Sequence, residues 1–169
     1  TIKRLAEILG IVVFSFGFLL LVSLLTYSPE DPNFIFPENT QIINLLGFQG
    51  SYVSDLFFQA IGLISYLISI TFIITGINII RIKEFFLIIE NTFFSILYCI
   101  FGTLFLNHFY SNSFTLFING NSGFVGSFIN QSFLGSLVQS NQIIFYYVLI
   151  FIILFLFLIS INFRPKKFY

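Results

Sequence analysis

The sequence predicts an all-α membrane protein: four transmembrane helices in two hairpins, plus an amphipathic interfacial helix in the second outside loop. Three observations carry this reading. Of 169 residues, 57% are hydrophobic and only 8% charged, with a mean hydropathy of +1.00, whereas soluble domains carry about 25% charged residues. The apolar residues fall into four long runs, each near the roughly 20 residues that a helix needs to cross about 30 Å of hydrocarbon. Every Lys and Arg lies in one of three clusters, and these clusters alternate with loops that contain none.

The runs place spans at residues 8–26, 56–80, 85–107 and 143–162 of a single domain. In hydrocarbon each unpaired backbone group costs several kcal/mol, which favours helices, and the runs lack the alternating pattern of barrel strands. The first run is too long for the apolar core of a signal peptide. No small-x-small cleavage site follows it between Tyr27 and Pro32, so it stays as an anchor.

The basic clusters are Lys3 and Arg4 before span 1, Arg81 and Lys83 between spans 2 and 3, and Arg164, Lys166 and Lys167 after span 4. Glu7, Glu84 and Glu90 share that side, while Glu30, Asp31, Glu38 and Asp55 fall on the other. The positive-inside rule then puts both termini and the turn at 81–84 in the cytoplasm. The absence of any Met, with an end just past a basic stop-transfer cluster, suggests a domain cut from a longer protein.

In the first outside loop, Ser28-Pro29-Glu30-Asp31-Pro32 ends span 1, because each proline lacks an N–H and disfavours helix before it. Tyr27 stands where an interfacial aromatic belongs. The stretch 46–50 reads as a turn, with Ser51 a candidate cap and Asp55 in the first turns of the following helix, near its positive end. The second outside loop, 108–142, contains no Asp, Glu, Lys or Arg. There Phe124, Val125, Phe128, Ile129, Leu134, Leu137 and Val138 recur at helical spacing with Ser127, Asn130, Gln131 and Ser136 between them, which predicts the interfacial helix. Asn119-Gly120-Asn121-Ser122-Gly123 is the flexible turn before it. Gly62, Ser65, Ser69 and Gly76 on span 2, and Ser95, Cys99 and Gly102 on span 3, mark packing faces. Span 4, nearly all Ile, Leu, Phe and Tyr until Ser160, faces lipid.

Chemistry is sparse, and no catalytic, cofactor-binding or metal residues are expected. Glu90 is a candidate proton relay as the one acid well inside a span. Its shallow depth, and the lack of a second buried ionisable residue opposite, favour snorkelling to the surface near Lys83 or Arg81. His108 has no Cys, His, Asp or Glu near it in sequence, which favours an interfacial side chain over a metal ligand. Cys99 lacks a basic neighbour and reads as a small packing residue. The sequence contains no G-x-x-x-x-G-K-[ST] phosphate loop, no acid beside the single His, and no continuous basic footprint for nucleic acid. The basic clusters are explained as topology anchors on the lipid bilayer.

The stretch Leu25-Thr26-Tyr27-Ser28-Pro29-Glu30-Asp31-Pro32 followed by Phe34, and then Asn44-Leu45-Leu46-Gly47-Phe48-Gln49-Gly50-Ser51-Tyr52-Val53-Ser54-Asp55, resemble the amino-terminal four-helix membrane domain of the FtsK family of bacterial DNA translocases. That family shows a Y-S-P-x-D-P turn and an N-x-x-G-x-x-G-x-x-x-[AS]-D lead into its second helix. Ser122-Gly123-Phe124-Val125-Gly126 resembles its glycine-rich motif before the fourth span, with Ser122 in place of one of the paired glycines. The resemblance covers essentially the whole chain and singles out Tyr27, Pro29, Asp31, Pro32, Gly47, Gly50, Asp55, Gly123 and Gly126 as motif residues. It implies a bacterial inner-membrane anchor and assembly module that sits at the division septum among other divisome proteins and serves chromosome segregation. It also implies a hexameric cytoplasmic motor using ATP and Mg, which these residues do not contain; this domain would touch no DNA itself. A small transporter or channel subunit is the alternative, resting on Glu90, the polar second loop and the small-residue stripes. The mostly Leu, Ile and Phe span centres speak against it.

The two hairpins also read as copies of one unit. Gly47-Phe48-Gln49-Gly50-Ser51-Tyr52-Val53 aligns with Gly123-Phe124-Val125-Gly126-Ser127-Phe128-Ile129. On this reading the helix from Ser51 runs unbroken into span 2, whereas the outer helix at 124–138 is separate from span 4.

Overall fold

The computed structural model describes residues 2–32, 41–111 and 120–162. Phe34, Glu38, Asn119, Arg164, Lys166 and Lys167 lie outside them. Among the described residues the chain is helical with no strand: α1 (Ile2–Leu25), α2 (Gly47–Ile61), a 3-10 turn (Gly62–Ile64), α3 (Ser65–Ile82), α4 (Phe86–Tyr110), α5 (Gly123–Asn130), α6 (Phe133–Ser140) and α7 (Gln142–Ser160). Four segments are long and apolar enough to cross a membrane: α1, α2 continued through the 3-10 turn into α3, α4, and α7. This is a multi-pass membrane fold of two hairpins.

α1 and α3 form the first hairpin, and glycine brings their backbones together. A Cβ on Gly76 would stand 2.5 Å from the Phe14 N and 2.7 Å from the Gly10 carbonyl, and one on Gly17 would stand 2.7 Å from the Ile73 N. Where lipid is as apolar as leucine, such close approach supplies the dispersion contact that holds helices together. Gly10 and Gly17 complete a face that the sequence signals only through Gly76. The second hairpin, α4 with α7, meets through large side chains: Leu104, Leu149 and Val138 pack with Phe101, Phe105, Phe145 and Ile153. α7 fully buries only Leu149 and Ser160, while Phe145, Ile153, Leu156 and Phe157 pack partly against the bundle and Tyr147, Phe151 and Phe155 stay exposed.

The short turn between the hairpins is closed by Lys83 in the left-handed conformation (φ 62°), whose N–H donates to the Ile79 carbonyl at 2.8 Å. Its ammonium pairs with Glu7 at 2.5 Å, on the exposed surface where such a pair contributes little. Glu90 is exposed on α4, away from the bundle interior, and Lys83 is paired with Glu7 instead of with it.

Several expectations are corrected. The helix from Ser51 does not run unbroken into span 2: it stops at Gly62, whose φ of 60° and ψ of −140° no helix accommodates. Ser51 is not a cap, because α2 begins at Gly47, and Asp55 lies about two turns in. The predicted outer helix at 124–138 is two helices, α5 and α6, parted at Gln131 and Ser132, where the Ser132 hydroxyl accepts from the Leu134 N–H. Its separation from span 4 is observed, at Asn141. The stripe on span 2 does not serve one neighbour, since the break at Gly62 turns that glycine toward the second loop while Gly76 faces α1. The turn at 120–123 is no loose connector either, as Asn121 and Ser122 are fully buried.

Candidate functional site

The motif residues gather at the end of the bundle that carries the two long connections, and there they build a collar. It starts with the Ser28–Asp31 turn, in which the Asp31 N–H donates to the Ser28 carbonyl at 3.2 Å and Pro29 supplies the fixed φ of the second position. That turn directs the Asp31 side chain inward, where it is 2% exposed. Its carboxylate accepts from the backbone N–H groups of Ile43 at 2.7 Å and Asn44 at 2.9 Å. The two ends of the first loop are thereby held together by charge-assisted bonds.

Asn44 continues the chain of contacts. Its Nδ2 donates to the Ser23 carbonyl at 2.9 Å, its Oδ1 accepts from the Leu46 N–H at 3.0 Å, and its own carbonyl accepts from the Gly47 N–H at 2.9 Å. These bonds do at the head of α2 what a capping side chain does. Gly50 packs directly against Asn44, leaving no room for a Cβ, and its carbonyl accepts from the Ser23 hydroxyl at 2.6 Å. Ser51, read as a cap, instead donates to the Pro32 carbonyl at 2.8 Å. Asp55 sits 3% exposed, accepting from the Tyr27 hydroxyl at 3.3 Å and from Gln59 Nε2 at 2.7 Å. Burial first, and then the nearby Asp55 carboxylate, push the Tyr27 hydroxyl up to about 12.

The second loop repeats the opening move. Gly47 (φ 66°) and Gly123 (φ 65°) each head a helix in a conformation that favours glycine. The Gly123 N–H donates to the Gly120 carbonyl at 3.3 Å, as that of Gly47 does to Asn44. Gly123 lies against the Ala60 backbone, and Gly126 against Ser122 and the Thr103 carbonyl. The break at Gly62 is where this loop docks: the Asn121 backbone carbonyl accepts from the Leu63 N–H at 2.9 Å, and Gly62 has no space for a Cβ beside it. Asn107 Nδ2 donates to the Ser122 hydroxyl at 2.9 Å, and the Asn121 amide donates to the Tyr110 carbonyl. His108 lies beside α5, its Nδ1 3.2 Å from Asn130 Oδ1.

The structure therefore brings Tyr27, Pro29, Asp31, Pro32, Gly47, Gly50 and Asp55 together in one half of the collar, and Gly123 and Gly126 in the other. Both buried carboxylates accept hydrogen bonds from the protein, Asp31 from two backbone N–H groups and Asp55 from Tyr27 and Gln59. Among the described residues no three His, Cys, Asp or Glu side chains are grouped as metal ligands. Cys99 is buried beside Ile64 and Tyr98 as a packing residue. The collar's hydrogen bonds tie both long connections to the ends of the helices. Sequence reasoning assigned no role to Ser23 or Asn107. The signal available was the cost of a polar side chain in an apolar span.

A family model matches nearly the whole of this chain. The 4TM region of DNA translocase FtsK/SpoIIIE matches residues 2–164. The chain belongs to that family. It is also similar to the DNA translocase FtsK of Rickettsia prowazekii (strain Madrid E), 29% identical over 72 residues, which is 43% of this chain and 10% of that protein. The match thus spans about a tenth of the curated relative's length. No solved structure matches. In this FtsK/SpoIIIE membrane domain Asp31, Asn44 and Asn121 close the two long connections onto the helices.

Proposed function

We propose that this domain is the membrane anchor and assembly module of a cell-division DNA translocase, holding an ATP- and Mg-dependent motor, outside these 169 residues, at the division septum for chromosome segregation. The observation that carries it is the family match over residues 2–164. The basic rim then faces the cytoplasm, where DNA and ATP are, and the collar faces outward, where other divisome membrane proteins bind it. Hexamer formation belongs to the motor, and α5 and α6 lie in the outer membrane interface with Phe124, Phe128 and Phe133 toward lipid, each of which is exposed. The transporter alternative finds less support: Thr71 bonds with Tyr98 and Asn91 Nδ2 with Thr75, pairs that join neighbouring helices.

A fluorescent fusion to the C-terminus, expressed in a dividing bacterium that carries the protein, should concentrate at midcell, and even membrane fluorescence in dividing cells would overturn the septal reading. Orientation has its own test. Cysteines placed at Gln41 and Gln139, both exposed at the collar, should react with an impermeant reagent added to intact spheroplasts, and protection of both would reverse the topology.

A further inference from the structure

α7 is held unequally along its length. Facing outward, Ile144, Tyr147, Phe151, Leu154, Phe155 and Leu158 are exposed, and the middle of the helix touches α4 through Leu149. Its last turn is different. The Ser160 hydroxyl, fully buried, lies 3.4 Å from Thr71 Oγ1 on α3, and Thr71 in turn lies 3.0 Å from the Tyr98 hydroxyl on α4. Tyr98 also sets its ring edge-on to Phe157, with centroids 5.9 Å apart. About two turns further along α3, Asn78 Nδ2 donates to the Ile161 carbonyl at 3.1 Å. Ile161 caps α7, and its carbonyl is one of those at the helix end that have no partner within it. The chain then turns at Asn162, in the left-handed conformation (φ 52°), with its N–H on the Ile159 carbonyl at 2.8 Å.

These contacts join residues 83 and 89 positions apart, from the first hairpin to the end of the second. Polar pairs of this kind help hold membrane helices together, and here several act on one helix end whose outward residues are exposed. We propose that Thr71, Asn78, Tyr98 and Ser160 form a clamp that fixes the last turn of α7 against α3, so that the chain leaves the membrane at a set place and in a set direction. The clamp stands on geometry alone. Its use as a rigid mount for a cytoplasmic motor rests on the anchor reading above. A motor swivelling on a lone lipid-facing helix would transmit little of its reaction force to the bundle, whereas one mounted on a clamped end transmits it to both hairpins.

The test measures a distance. In the whole protein with Cys99→Ala, spin labels at Ile82→Cys and Leu158→Cys, both exposed, report the separation of the α3 and α7 ends in liposomes by double electron–electron resonance. A narrow distribution is expected, and T71V with N78L should at least double its width. A second pair, Phe48→Cys and Tyr147→Cys at the collar end, should stay unchanged in that variant, which shows that the bundle has not come apart. The proposal is overturned if the parent distribution is already broad or if the variant leaves it narrow. It is also overturned if both pairs broaden together, since the polar groups would then serve general packing. A failed septal localisation leaves this distance untouched, and a failed clamp leaves the localisation test untouched.

Discussion

The two hairpins solve the same problem with different materials. In the first, α1 and α3 approach until Gly10, Gly17 and Gly76 are in contact with the opposite backbone. In the second, α4 and α7 stay apart by the length of Leu and Phe side chains, and a hydrogen-bonded last turn makes up what α7 lacks in buried surface. A backbone contact has nowhere to yield, whereas packed side chains can change rotamers. The first hairpin should therefore fail sharply when its fit is altered and the second should give way gradually.

The largest expected effect is Gly76→Leu. Its Cβ would stand 2.5 Å from the Phe14 N, so α1 must move bodily, at a cost of about 3 kcal/mol or more. The matched change in the second hairpin is Leu149→Ala, which leaves a cavity beside Leu104 that neighbouring phenylalanines can partly fill, for about 2 kcal/mol. Unfolding in bicelles, followed by steric trapping, ranks the two. An equal or reversed order would break the comparison.

Next comes the collar, where the two loops differ in what they use. Asp31 works through its side chain, so Asp31→Asn, which trades the charge for a single amide oxygen, should cost about 1.5 kcal/mol and expose the first loop. Hydrogen exchange at the Ile43 and Asn44 N–H groups, which Asp31 holds, would then be several-fold faster. At Asn121 the contact to Leu63 is a backbone carbonyl, and Asn121→Ala keeps it, so hydrogen exchange at the Leu63 N–H should stay at the parental rate. If Asn121→Ala opens its loop as far as Asp31→Asn opens the first, the side chain of Asn121 carries the docking after all.

A smaller effect concerns pH. Tyr27 holds its proton up to about 12 in the folded state because burial and Asp55 disfavour phenolate, while an unfolded tyrosine loses it near 10. The folded state thus binds more protons between those values, and stability falls as pH rises from about 10 to 12. Below 10 this contribution is fully present. Tyr27→Phe should flatten that part of a pH–stability curve, and an unchanged slope would place the titration elsewhere.

Much of the fold was legible because the bilayer makes it so: span number and hairpin pairing follow from apolar runs and from where Lys3, Arg81 and Lys83 fall. The motif residues of the collar were legible as turn formers, but their partners were not. Nothing local in the sequence says that Asp31 reaches Ile43 and Asn44, twelve and thirteen residues on. The break at Gly62 was missed for the same reason. A lone glycine in an apolar run reads as a packing position, and only the Asn121 carbonyl, far along the chain, explains why the helix opens there. The paired conformations of Gly47 and Gly123 agree with the repeat reading, and the break makes the copies more alike than expected, since both outer helices are parted from their second spans.

The smallest expected effect tests what covers α7. Phe151 is 69% exposed on the outward face, and in a bilayer that face meets acyl chains, so Phe151→Leu exchanges one apolar surface for another against the same solvent. The change should lie within about 0.5 kcal/mol, far below Leu149→Ala two residues away, because in lipid it is lost packing and not lost apolarity that costs stability. Unfolding in bicelles measures the local term, and cross-linking of the protein in native membranes reads any neighbour. If Phe151→Leu is silent in bicelles but changes cross-linking in membranes, this face packs on another protein, and the second hairpin is loose in isolation because part of its packing comes from outside the chain. If it is silent in both, α7 faces lipid along its length and its last turn must hold it.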